Sequence, residues 1–133
     1  MKFSIKLSEL PRNTQLEILR TTSNKEMLEY FSKSSEFWDR FSVAGNPATP
    51  INVLDEFLFD SEYLVQLEVI RNPNLSGTSI DRLSDITSEL KLELGIISHQ
   101  NTEKETLQKL MKGSRHKEVR IKAYQRLIGV EVV

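Results

Sequence analysis

Apolar residues recur along this chain in one spacing, written repeatedly at a fixed distance. Leu28 and Phe31 are followed 26 residues later by Leu54 and Phe57, then after 26 more by Ile80 and Leu83, and after 27 by Leu107 and Leu110. A separation of three places each pair on one helix face. A second stripe lies ahead of each break in the pattern: Phe37 and Phe41, Tyr63 and Leu67, Leu90 and Leu94, Val119 and Ala123. Val43-Ala44, Val69-Ile70 and Ile96-Ile97 close three of these segments, and Glu36, Glu62, Glu89 and Glu118 open all four. Strict alternation is confined to Phe3, Ile5 and Leu7, which suits a short extended piece.

The breaks recur as well. Asn46-Pro47-Ala48-Thr49-Pro50 returns as Asn72-Pro73-Asn74-Leu75-Ser76, an ungapped offset of 26. Proline pushes the preceding asparagine out of the α region, so the helix before it must end. The Asn72 side chain can close the turn by bonding to backbone two residues on. Thr49 is the expected N-cap of the following helix, with Pro50 at its first position. Ser23 takes the same role one copy earlier, with Glu26 completing a capping box. In the fourth copy His99-Gln100 replaces Asn-Pro, so His99 reads as a turn residue.

These signals predict helices from Leu10-Pro11 through Leu19, from Ser23 to about Ser34, and over 36–44, 49–59, 63–70, 79–86, 90–97, 105–111 and 117–128. One helix pair cannot bury its own stripe, whereas stacked neighbours share a continuous core. The sequence therefore predicts an all-α solenoid of about four and a half stacked helix-pair repeats of 26–27 residues. The units run about 11–35, 36–60, 62–86 and 89–113, with a half unit at 117–128. Residues 1–10 form an N-terminal extended or capping segment and 129–133 a C-terminal tail.

The run Glu62-Tyr63-Leu64-Val65-Gln66-Leu67-Glu68-Val69-Ile70-Arg71-Asn72-Pro73-Asn74 resembles the variant leucine-rich repeat, a relation of HEAT-like and armadillo units. The copies at 36–60 and 62–86 carry the likeness best; those at 11–35 and 89–113 are looser. The resemblance implies a right-handed superhelix of paired short helices, some of them 3₁₀, and no chemistry. Some members of that family hold a cysteine-ligated iron–sulfur cluster. This chain has no cysteine, so that feature does not carry over.

Composition narrows the function. With 133 residues, 38% hydrophobic and 28% charged, the chain has one domain's length and no disordered signature. No apolar run approaches a membrane span, and the N-terminus shows no signal peptide, so a cytoplasmic protein away from membranes is expected. The absence of Cys removes disulfides and thiolate sites. No phosphate loop, His-x-x-x-His pair or nucleophile elbow occurs, so no enzyme, cofactor or metal is expected.

Departures from the repeat point to surfaces. Tyr30 stands where other copies have Glu56, Arg82 and Lys109; Phe59 where they have Lys33, Asp85 and Lys112; Trp38 shares its slot with Leu64, Lys91 and Arg120. Slots that tolerate charge face solvent. Tyr30, Trp38, Phe59 and Leu64 are thus candidate partner-binding residues, unless Phe3, Ile5 and Leu7 fold over them. Charge is split too: nine acids against three bases over 55–93, and seven bases against Glu118 over 109–126. Lys109, Lys112, Arg115, Lys117, Arg120, Lys122 and Arg126 form a candidate basic patch, which could also be the solvated cap of a terminal repeat. The expected function is a non-catalytic protein–protein interaction scaffold. The alternatives are nucleic-acid binding through the basic third, or a small inhibitory, immunity-type protein that blocks an enzyme.

Overall fold

The computed structural model describes residues 7–129. Among these residues the regular structure is helical, with no strand. From Arg12 on, the described residues form, in order, α1 Arg12–Thr21, α2 Lys25–Phe31, α3 Phe37–Ala44, α4 Ile51–Phe57, α5 Tyr63–Val69, α6 Gly77–Ile86, α7 Leu90–Ser98, α8 Lys104–Gly113 and α9 Lys117–Leu127. They fall into two compact units, 1–74 and 75–133.

In the N-terminal unit α1 packs on α3 and α3 on α5, while α2 and α4 each lie against the two members of that row that flank them in sequence. The row is held by side chains as well as by its core. Asn46 donates from Nδ2 to the carbonyls of Leu19 and Thr22, both at 2.8 Å. Asn72 repeats the contact, donating to Ala44 O at 2.8 Å and Asn46 O at 3.0 Å. Both asparagines are buried, and each also accepts from the backbone N–H two residues on, Asn46 from Ala48 and Asn72 from Asn74. Helix C-termini expose carbonyls without internal partners. The asparagines supply those partners from the neighbouring turn, which locks successive helices in one register. Arg20 of α1 meets Glu68 of α5 at 2.8 Å, beside Gly45 at the end of α3. Leu28, Val43, Leu54, Leu58, Val65 and Val69 are completely buried beneath these ties.

In the C-terminal unit α9 packs on α8 and α7, and α6 on α7 and α8. His99 stands in the turn as its spacing predicts: its Nδ1 accepts from Asn101 N at 3.0 Å. Arg126 occupies the next corresponding position and donates through Nη1 to His99 O at 2.8 Å and to Ile97 O. These are the equivalents of the carbonyls that Asn72 engages on α3. A guanidinium thus replaces a carboxamide as the donor.

Several boundaries and caps differ from the sequence expectation. The cap of α2 is Asn24, whose side chain accepts from Met27 N at 3.1 Å, and Ser23 is not used. Asn24 places its oxygen over the first turn while Thr22 Oγ1 accepts from Asn24 N. Thr49 does not cap α4; its hydroxyl donates backwards to Val43 O at 2.6 Å, and Pro50 becomes the N-cap of a helix that starts at Ile51. Val43 O also accepts from Asn46 N at 3.1 Å, so the buried threonine hydroxyl fills the second lone pair of a carbonyl at the end of α3. Helix α6 starts at Gly77, under the Ser76 cap, rather than at Ser79.

The register of the last copy also shifts. Ser34, Asp60, Thr87 and Ser114 each accept the N–H two residues on, immediately before α3, α5, α7 and α9. The N-caps are therefore Glu36, Glu62, Glu89 and His116, and Glu118 is not the counterpart of the earlier glutamates. Trp38 aligns with Leu64, Lys91 and Glu118, while Arg120 aligns with Arg40: Arg40 donates to Ser34 O and Arg120 to Ser114 O. The extended segment expected around Phe3 and Ile5 and the tail after Gly129 lie outside the described residues. Leu7 is buried.

Candidate protein-binding surfaces

Tyr30, Trp38, Phe59 and Leu64 are 44–48% exposed, as the charge-tolerant slots predict. The structure brings them together only in part. Trp38 and Leu64 sit at equivalent positions in the first turns of α3 and α5, which pack on each other. Packed helix axes lie about 8–10 Å apart, so the two side chains are neighbours on one face. Tyr63, 37% exposed, belongs to the same turn as Leu64. Tyr30 and Phe59 are carried elsewhere, on α2 and just past the end of α4. Tyr30 lines an open hollow of about 660 Å³ with Glu26, Glu29, Lys33 and the Ser34-Ser35 bend, which none of the other three reaches.

Trp38 is exposed but braced. Its ring lies 4.4 Å from Phe37 and 5.3 Å, edge to face, from Phe41. The Arg20 guanidinium covers the Phe41 ring at 5.3 Å. Little side-chain freedom therefore remains to be lost on binding, and a rigid exposed aromatic is a good interface anchor.

One slot behind Trp38 carries an unexpected charge. Asp39 is buried where α5, α7 and α9 have Val65, Leu92 and Val119. Ser34 Oγ donates to its Oδ2 at 2.7 Å. Arg12 Nη1 stands 2.8 Å from Oδ1, close enough for an ion pair although not aligned for a hydrogen bond. The sequence pattern gave no sign of it, because nothing local marks an acid whose partner is on another helix. Next to it Arg40 forks onto Asp60 at 2.8 and 3.1 Å. The Asp60 hydrogen bond holds this guanidinium above its ordinary pKa, outweighing the opposing effect of burial.

Several bases of the basic run already have partners. Lys109 bridges Asp81 and Asp85 at 2.8 and 2.7 Å. Arg120 and Arg126 are spent on carbonyls of Ser114, Ile97 and His99. Lys122 reaches Glu118 at 3.4 Å, whereas Lys112 and Lys117 make no ion pair among the described residues. His116 Nε2 lies 2.8 Å from Ser88 O and 3.3 Å from Arg115 Nε. Among the described residues no group of three His, Asp or Glu is placed to hold a metal, and no helix is long and apolar enough to cross a membrane.

Comparison with known proteins gives no further constraint: no family model, no curated protein and no solved structure matches the chain.

The corrected register exposes residues the sequence reading passed over. Ile121 and Tyr124 of α9 and Ile128, its C-cap, are 46–55% exposed. They were hidden because aligning Glu118 with Glu89 set α9 two residues out of step.

Proposed function

We propose that the chain is a non-catalytic, cytoplasmic protein-binding scaffold: an α-solenoid of stacked helix pairs of the variant leucine-rich or HEAT-like kind. The exposed pair Trp38 and Leu64, at equivalent positions on the packed helices α3 and α5, is what supports this reading most. Helix pairs locked by buried asparagines make a stiff platform, and a stiff platform presenting a braced aromatic binds protein at low entropic cost. The solenoid reading draws on the 26-residue recurrence of Asn46 in Asn72 and on their matching bonds to the preceding turn. Nucleic-acid binding is the weaker reading, since phosphate contacts need free Lys and Arg and Lys109, Arg120 and Arg126 are already engaged.

The test is a comparison of wild-type chain with a Trp38→Ala, Leu64→Ala double variant. Both are used to capture proteins from the source cell at equal loading. The variant keeps its helical circular dichroism and thermal midpoint, and the proteins enriched by the wild type are lost. An unchanged set of captured proteins removes this face from consideration.

A further inference from the structure

The register that aligns Ser114 with Ser34 also aligns one stripe on the first helix of successive copies. On α3 it is Phe37, Phe41 and Ala44; on α7, Leu90, Leu94 and Ile97; on α9, Lys117, Ile121 and Tyr124. In the N-terminal unit α5 packs on α3, and Ala44 is 0% exposed. In the C-terminal unit α9 packs on α7, and Ile97 is 1% exposed. On α9 the stripe is open: Tyr124, their counterpart, is 53% exposed, and Ile128 one turn further is 55% exposed.

The end of α9 is built differently from the ends of α3 and α5. It continues past the position where they stop, and Gly129, at φ 82, terminates it. Tyr124 O accepts from Ile128 N at 3.1 Å, and Arg126 O from Gly129 N at 3.2 Å. These carbonyls correspond to Ala44 O and Asn46 O, which Asn72 engages on α3. On α9 they are taken by the helix end itself. What remains on offer is a row of side chains at helical spacing, Lys117, Ile121, Tyr124 and Ile128, apolar but for its first member.

Charge indicates the occupant. Lys117 lies on the stripe with no ion pair among the described residues, and Lys122 has only the loose contact with Glu118. Along α9 itself the bases Lys117, Arg120, Lys122 and Arg126 stand against Glu118 alone, so a carboxylate-bearing partner complements this helix better than a second copy with the same net positive charge. We propose that the α9 stripe docks an amphipathic helix of another protein, aliphatic along one face and carboxylate-bearing beside it. The occupant lies where a further first helix would stack, anchored by Ile121, Tyr124 and Ile128. This surface is on a different unit from Trp38 and Leu64 and does not depend on their role.

The experiment uses the full chain and two synthetic labelled helices of about five turns. They share one leucine stripe and differ only in flanking Glu or flanking Lys. Fluorescence anisotropy should show the Glu-flanked helix binding at least about tenfold tighter, which is about 1.4 kcal/mol, and weakening as salt rises. Ile121→Glu and Tyr124→Glu should each abolish binding, while Trp38→Ala leaves it unchanged. Both replaced side chains are exposed, and circular dichroism checks that α9 persists. The inference is overturned if neither helix binds, if both bind equally, or if binding survives the two substitutions. It is equally overturned by a concentration-dependent dimer that Ile121→Glu disperses, or by binding that appears only after residues 130–133 are removed. Those results would give the face to a second copy or to the chain's own tail.

Discussion

The Asn72 carboxamide donates to the backbone carbonyl of Asn46 at 3.0 Å, so the turn closing one helix is held by the same residue of the next turn. The contact is directional. Nδ2 serves Ala44 O and Asn46 O, and Oδ1 serves Asn74 N. One side chain satisfies three buried or half-buried backbone groups, and only an amide has both donor and acceptor in that arrangement.

Asn72→Ala should therefore cost about 1–3 kcal/mol, since Ala44 O loses its Asn72 donor inside the protein while Asn46 O keeps its bond from Thr49 N. Asn72→Asp should cost more, although it is closer in shape. It keeps an acceptor for Asn74 N but points a carboxylate oxygen at two carbonyl oxygens. Urea denaturation of the three proteins at neutral pH measures the order. An aspartate variant more stable than the alanine variant would mean that the acceptor side of Asn72 dominates.

The same asparagine shows where the sequence was legible. Its turn role follows from Asn-Pro and from its reach to the residue two on. Its main role does not, because the carbonyls it engages are 26 and 28 residues away. The helices were legible because burial repeats at three and four: Leu28, Leu54 and Ile80 are each completely buried. Caps were less so, because neighbouring side chains compete. Asn24 caps α2 in place of Ser23, taking Met27 N, and Thr49 turns back to Val43. The exposure of Trp38 and Leu64 could be read from charged residues in equivalent slots. The buried Asp39 could not, and the open stripe of α9 was missed because Glu118 imitated a register it does not hold.

Two glycines separate side-chain crowding from backbone crowding. A Cβ on Gly45 would meet Arg20 Nη1 and Glu68 Oε2, each at 2.5 Å. These are ends of flexible side chains, so Gly45→Ala should break their ion pair and cost about 1 kcal/mol. In an Arg20→Ala background the same change should be neutral or slightly stabilising, because alanine suits a helix end in the α region better than glycine. A Cβ on Gly77 would meet the backbone oxygen of Asn101 at 2.6 Å, which cannot swing away. Gly77→Ala should cost about 2 kcal/mol or more and find no rescue from trimming Glu103. Thermal melts of the single and double variants check both expectations.

The Lys109 bridge gives a pH window with a defined sign. Hydrogen bonds from Lys109 and then Thr106 lower the Asp81 pKa from 3.8. Burial pushes Lys109 down, but its bonds to Asp81 and Asp85 outweigh this and leave it raised from 10.5. The Asp81 contribution is present above its unfolded value and lost as pH falls through the folded one. The Lys109 contribution is present below 10.5 and lost as pH rises through its folded value. Lys109→Met should thus lower stability by at most about 1 kcal/mol, because the groups are partly exposed. The difference from wild type should be flat from about pH 5 to 9 and vanish in acid. Denaturant midpoints across that range, at low and high salt, test it; a difference that grows below pH 3.8 contradicts the assignment.

The Arg12–Asp39 pair should respond with opposite signs when its two halves are removed. Asp39 is 7% exposed at its side chain and Arg12 45%. The carboxylate has therefore lost most of its water, while the guanidinium keeps much of its own. Valine stands in the equivalent place on α5 and α9, as Val65 and Val119, both fully buried. Asp39→Val removes the desolvated charge, leaves Arg12 in solvent, and should stabilise the chain by about 1 kcal/mol. Arg12→Met leaves the carboxylate buried with the Ser34 hydroxyl and the charge of Arg40, and should destabilise by about 1–2 kcal/mol. The double variant should resemble Asp39→Val alone, since without the acid the arginine has nothing to compensate. Calorimetric melts of the four proteins close the cycle. If Asp39→Val destabilises instead, the buried carboxylate is contributing through the first turn of α3 and through Ser34 more than its desolvation costs.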